Sequence, residues 1–191
     1  YDSPELDRLS EQRGYDVRER IEREFFLPTL EAISATKSHI DNYVAYLGTA
    51  ISMARVINEP KWVHWAFRWI GENVNAGCFY DGMWHESPAY HYMTTSGLRH
   101  CFASAVGYTD PPGYVDEVDG RRYEDLKPEV EFPFWARVQD APLAISYPSG
   151  DLAVVHDTWA KQKVGGPRTQ TVSTILPGFG HASLGRGSGA N

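Results

Sequence analysis

Cysteine is nearly absent from this chain: only Cys78 and Cys101 occur among 191 residues. Two thiols cannot build a disulfide scaffold, and they lack the paired spacing of a zinc site. Whether they bond to each other is left open by the sequence. No apolar run reaches the roughly 18 residues that a membrane-spanning helix needs, and no basic-then-apolar leader opens the chain. A basic excess is missing too, since 18 Lys and Arg face 25 Asp and Glu for a formal net charge of −7. Such a surface does not attract nucleic acid or anionic membrane, so an anionic ligand would have to be met by local donors. Internal repeats and low-complexity tracts are absent.

Two catalytic signatures are missing as well. His85 and His91 enclose Glu86-Ser-Pro-Ala-Tyr90, whereas a zinc-protease helix needs histidines at i and i+4 without a proline between them. No Gly-x-Ser-x-Gly pentapeptide occurs for a serine nucleophile. The glycines from Gly178 to Gly185 do not follow a phosphate-loop pattern, and they read as a strand with a tight turn. The chain opens on Tyr1 rather than Met and stops after a strand-like run with nothing to pair it; it reads as a piece of a longer protein.

What is present begins with aromatics, at 13% of residues with six Trp. They fit either a helical core or rings lining a sugar cleft. From Asp16 to Thr36, apolar residues at Val17, Ile21, Phe25, Leu30 and Ile33 approximate one helical face, which Pro28 should kink or divide. A second helix is expected from Ser38 to Ile57. A third opens at Asn58-Glu-Pro60, with Pro in the first turn, and stops near Gly77. A fourth begins at Ser87-Pro88 and continues to about Val106. The breaker cluster Thr109-Asp-Pro-Pro-Gly113 ends this regime. Beyond it the β-prone runs are 143–147, 152–155, 169–176 and 181–184, with a hairpin-like turn at Pro148-Ser-Gly-Asp151. The expected organisation is a helical domain over 1–110, a linker over 111–140 and the beginning of a β-sheet domain over 141–191.

The densest chemistry lies in Asp81-Gly-Met-Trp-His-Glu-Ser-Pro-Ala-Tyr-His-Tyr92, where seven residues can move a proton or ligate a metal. The Ser-Pro start places Tyr90 and His91 in a first helical turn, whose free amides favour an anion. A capped helix, with Glu86 and Ser87 serving its N-terminus and Tyr90 in the core, uses the same residues without chemistry.

The pattern Asp-Gly-x-x-x-Glu-x-Ser-Pro-x-Tyr-His resembles the signature of the heparinase II/III-like polysaccharide lyases, on Asp81, Gly82, Glu86, Ser87, Pro88, Tyr90 and His91. Ser38-His-Ile-Asp-Asn-Tyr43 resembles the family's Asn-bearing helix, and Ile57-Asn-Glu-Pro60 the short acidic turn after it. Tyr147 to Thr158 resembles the approach to the family's β-domain, and Gly178 to Gly187 an early strand of it. The resemblance therefore spans roughly residues 15 to 187, in the family's order.

It implies an α+β multidomain fold: the C-terminal part of an incomplete (α/α) toroid followed by the start of an antiparallel β-sandwich. It also implies β-elimination on a uronate-containing glycan. Proton abstraction beside a carboxylate needs that carboxylate neutralised, and a base and an acid must then act at C5 and at the leaving oxygen. The resemblance assigns Asn42 as neutraliser, Tyr90 as base and acid, and His91 as a third catalytic group. His39, His85, Glu86, Trp84, Tyr92 and His156 are the expected substrate contacts. Asn42 is followed by Tyr43 and, a turn later, Leu47, where relatives often carry His. No cofactor is expected in this chain, and a structural zinc or calcium is expected only with the His-Gly-His motif, which does not occur here. The expected partner is an acidic polysaccharide or oligosaccharide, with no nucleic acid and no membrane span, in a secreted or periplasmic setting. The alternatives are a non-catalytic carbohydrate-binding protein or inactive fragment of the same fold, and a glycoside hydrolase using Asp81 and Glu86.

Overall fold

The computed structural model describes residues 1–167 and 169–185. The chain is mostly helical, with one short antiparallel pair of strands among the described residues.

Helix α1 (Pro4–Arg13) starts where Ser3 accepts the Glu5 amide and ends at Gly14, whose φ of 72° suits a residue without Cβ. Asp16 caps α2 (Val17–Ile21), which runs without a break through a π-helical turn (Glu22–Phe26) into α3 (Leu27–Ser34). The expected division at Pro28 therefore does not occur. Proline offers no N–H to the preceding turn, and the wider turn upstream, with the Leu27 amide on the Glu22 carbonyl, absorbs the missing bond.

Helix α4 (Ala45–Val56) begins seven residues later than expected, after Ser38, because residues 38–44 spend their hydrogen bonds elsewhere. The Asn73 side chain accepts the Asp41 amide (3.1 Å) and donates to the His39 carbonyl (2.7 Å), and Asp41 accepts the Tyr43 amide (2.7 Å). An asparagine thus replaces the helical ladder. Helix α5 (Pro60–Asn75) buries Val63, Ala66, Phe67, Ile70 and Val74 at helical spacing, and Trp62, Trp65 and Trp69 pack partly buried beside them. Helix α6 (Pro88–Ala105) is capped by Ser87, as its Ser-Pro start foretells. It crosses α4 closely: a Cβ on Gly97 would stand 3.1 Å from the Ala45 nitrogen, and one on Gly48 would stand 3.0 Å from the Cys101 Cα.

The stretch expected as a linker is packed. It holds α7 (Pro128–Glu131) and α8 (Trp135–Ala144), and Tyr123, Leu126, Trp135 and Val138 join the core formed by α4, α5 and α6. The expected strand at 143–147 is instead the end of α8 and the turn after it, with Pro142 tolerated in the last helical turn. The run 152–155 forms only an isolated bridge, Ser146 with Leu152, around the foreseen turn at 148–151. The later two runs do pair, as β1 (Thr174–Leu176) and β2 (His181–Ser183), with Ile175 opposite Ala182. Met83, Ala141, Ile145, Leu152, Leu176 and Phe179 make a second apolar cluster there. Arg186 and Gly187, the end of the strand-like motif, lie outside the described residues.

Both cysteines are free, with Cys101 buried and Cys78 half-buried. Among the described residues, no helix is long and apolar enough to cross a membrane.

Candidate functional site

The segment from Gly77 to Ser87 is a small hairpin leading into α6. The Phe79 amide donates to the Met83 carbonyl (2.7 Å), the His85 amide to the Gly77 carbonyl (3.2 Å), and Cys78 and Trp84 form a bridge. Gly82 at the tip has a φ of 95°, and a Cβ there would sit 2.6 Å from the Arg137 carbonyl oxygen. Glycine is required on both counts.

Most polar residues of the signature maintain this shape. Asp81 is buried, and its carboxylate accepts the Met83 amide (3.4 Å) and the Phe179 amide (2.9 Å), tying the hairpin to the turn before β2. Both of its oxygens are thus committed to backbone amides. Trp84 is buried, with 1% of its surface accessible, so its ring is not available as a sugar platform. The Ser87 hydroxyl accepts the Tyr90 amide (3.2 Å) and donates to the Asp157 carbonyl (2.9 Å), which pins the loop around residue 157 to the start of α6. His91 is buried, and its Nδ1 accepts the Trp84 amide at 3.0 Å. Burial holds its pKa down to about 4, and the Val138 carbonyl, which favours protonation, offsets only part of this. That carbonyl would ordinarily bond to the amide of residue 142, which is a proline. His91 is thus a neutral ring fastening the hairpin.

The remaining candidates separate into two groups. His39 is buried; its Nδ1 lies 2.5 Å from the Tyr46 hydroxyl, and its ring meets Trp65 and Trp69 edge to face. Desolvation lowers its pKa. Tyr92 packs against the second apolar cluster, with its ring edge-on to His91. His85 is exposed, with Nδ1 2.6 Å from the Gly77 carbonyl oxygen. His156 is exposed at a φ of 54° and sets its ring against Phe179.

Asn42, Glu86 and Tyr90 do come together. The Asn42 amide nitrogen donates to Glu86 Oε2 (2.6 Å), and the Thr94 hydroxyl donates to Asn42 Oδ1 (3.3 Å). A donor on the oxygen and an acceptor on the nitrogen define which way the amide points, and one N–H remains for a ligand. Next to Glu86, the Tyr90 hydroxyl is hydrogen-bonded to Asp157, whose carboxylate raises the phenol's pKa above 10. The phenol therefore stays protonated at neutral pH.

Asp157 and Trp159 arrive from the distant loop that Ser87 secures. Trp159 is 67% exposed, with its ring centroid 6.5 Å from that of Tyr90, and Tyr43 is 71% exposed on the Asn42 side. Sequence reasoning did not single out Thr94, Tyr43 or Trp159 as site residues. An aromatic in a loop that spacing cannot place in a core is the one signal Trp159 offers. The formal charges that surround Tyr90 are both negative, from Glu86 and Asp157. A groove of about 470 Å³ lined by Arg99, Phe102, Lys127 and Trp135 involves none of these residues. Comparison with known protein families, with curated proteins and with solved structures returns no match.

Proposed function

We propose that this chain carries the proton-transfer face of a polysaccharide lyase of the heparinase II/III-like kind, acting on a uronate-containing glycan by β-elimination. In this reading the helices are the C-terminal part of an incomplete (α/α) toroid, and the β1–β2 pair belongs to an antiparallel β-sandwich. The observation that carries it is that Glu86 neighbours both Asn42, which donates to it from 44 residues away in the chain, and Tyr90, whose phenol feels its charge.

The uronate carboxylate takes the free N–H of Asn42, whose amide is oriented by Glu86 and Thr94. That hydrogen bond spreads the negative charge that develops when the C5 proton leaves. Tyr90 is protonated before the substrate binds. As the C5 proton moves to the phenol oxygen, the proton already there passes to the Asp157 carboxylate; the phenol then gives the proton gained from C5 to the departing glycosidic oxygen and recovers its own from Asp157. His91 and Ser87 act at one remove, by holding the hairpin and the 157 loop. With Glu86 and Asp157 both acidic, the substrate's charge is met by the Asn42 amide and the positive end of α6 rather than by a cationic side chain.

A second reading, carbohydrate binding without catalysis, is favoured by the exposed rings of Tyr43 and Trp159 and the half-buried ring of Tyr90, which could stack on sugar faces. One assay separates the two. Incubation with alginate, glycosaminoglycans and ulvan-like polymers should generate the absorbance of an unsaturated uronate, and Tyr90→Phe should lower its rate by about 10²- to 10⁴-fold with an unchanged circular dichroism spectrum. Binding without absorbance supports the second reading. New reducing ends without absorbance would mean hydrolysis, and full activity in Tyr90→Phe would remove Tyr90 from the reaction.

A further inference from the structure

The loop after α6 carries a polar cluster that the proposed lyase site does not use. His64 of α5 is fully buried, with Nε2 at 2.9 and 3.1 Å from the two carboxylate oxygens of Asp110. Asp110, buried as well, accepts the Tyr108 hydroxyl (2.9 Å) and the Tyr123 amide (2.6 Å). A carboxylate so placed accepts from the imidazole, so Nε2 carries the ring proton and Nδ1 keeps its lone pair. Nδ1 is buried and has no hydrogen-bond partner. An unmet buried acceptor is costly and calls for an explanation.

Asp116 and Asp119 supply one. A nitrogen of His64 and one oxygen from each of these carboxylates all lie within 4.8 Å of one another. Because Asp110 takes Nε2, Nδ1 is the nitrogen open to a cation. Arg68, one turn along α5, reaches the same carboxylates, with Nη1 2.6 Å from Asp116 Oδ2 and 3.6 Å from Asp119 Oδ2. The Tyr114 hydroxyl donates to Asp116 Oδ1 (3.3 Å) and the Val118 amide to Oδ2 (3.2 Å). An arginine–carboxylate cluster accounts for Asp116 and Asp119 but leaves Nδ1 without a partner.

We propose that His64 Nδ1, Asp116 and Asp119 form a binding site for a divalent transition metal, with Arg68 as the cation that holds the carboxylates until the metal displaces it. One imidazole and two carboxylates, without a thiolate, suit zinc, and three protein ligands leave a position for water. Asp110 plays the part of the carboxylate that fixes a metal-bound histidine's tautomer and ring plane. The site shares no residue with the Asn42–Tyr90 cluster, so either can fail without the other.

The test uses the full chain, stripped with a chelator and titrated with zinc chloride by calorimetry and thermal melting. One zinc per chain and a melting temperature that rises with free zinc are expected. His64→Ala removes a core side chain and can fail to fold, so the deciding variant is Asp119→Asn. It should weaken zinc by at least the about 10-fold that loss of a mere outer-shell partner costs, with the metal-free melting temperature unchanged. Asp110→Asn should cost about 10- to 100-fold, and Arg68→Gln should bind at least as tightly as wild type. A melting temperature indifferent to zinc, zinc binding that survives Asp119→Asn, or loss of zinc in Arg68→Gln would each overturn the proposal.

Discussion

Acidification should release the hairpin that presents Glu86, at a pH set by His91. The ring is buried, and its Nδ1 must stay unprotonated to accept the Trp84 amide. A proton on Nδ1 would face an N–H donor, and the bond that fastens the hairpin to α6 would become a repulsion. In the folded state the pKa lies at about 4, against an ordinary value of 6.5. Because the folded value is depressed, the unfolded chain takes up the proton first. The contribution is complete above pH 6.5, is lost progressively as the pH falls toward 4, and levels off below that. The interval corresponds to about 3 kcal/mol, a large share of the stability of a single domain.

Urea unfolding across this pH window, on wild type and on His91→Asn, isolates the effect. Asparagine can accept the Trp84 amide through its oxygen but does not titrate. His39 and His181, whose pKa values are also lowered by burial, are common to both proteins and cancel, as do the carboxylates. The variant should be less stable than wild type at neutral pH, where it loses packing, and its stability should fall less on acidification, by about 3 kcal/mol over the window. Parallel pH profiles for the two proteins would refute the assignment of a neutral, load-carrying ring.

Two other perturbations follow from the same geometry. Gly97→Ala would put a Cβ 2.8 Å from Val44 Cγ1 and 3.1 Å from the Ala45 nitrogen, so α4 and α6 must separate, at a cost of about 1–3 kcal/mol measurable by calorimetric melting; an unchanged melting temperature would show that this crossing is not tight. Asp157→Asn removes the anion that raises the Tyr90 phenol, so its pKa should fall toward 10, followed by NMR of ring-labelled tyrosine, and a value that stays put would assign the shift to another neighbour.

The helical part was legible where its signals are local. Ser87-Pro88 and Asn58-Glu-Pro60 mark the starts of α6 and α5, and apolar spacing along α5 marks its buried face. The errors have a common cause, which is that tertiary contacts outbid the local pattern. Asn73 takes the backbone groups of residues 39 and 41, so α4 starts late although the sequence from Ser38 is apolar at helical spacing. Pro133 and Pro142 flank or interrupt α8, which packs Trp135 and Val138 into the core, and burial there overrode the prolines that pointed to a linker. Prolines are read as breakers because of the hydrogen bond they remove. Here one falls in a last helical turn and the other precedes a helix start.

At the candidate site the same distinction separates the residues proposed to carry chemistry from those that carry shape. Residue type alone treats Asp81, His85, Glu86, Ser87, Tyr90, His91 and Tyr92 as one titratable cluster. Burial and partners divide them: Asp81 on the Phe179 amide, Ser87 on the 157 loop and His91 on the Trp84 amide are each committed to backbone. A side chain that already satisfies a buried amide has little freedom to exchange a proton with a ligand, because leaving that amide unmet costs about 1–3 kcal/mol. Glu86 and Tyr90 are free of that duty, and they are the two that meet residues from other segments, Asn42 and Asp157. The dense run of titratable residues is therefore mostly a device for holding two of its members outward, and the proposed reacting set is completed by residues 44 positions before Glu86 and 70 positions after Ser87.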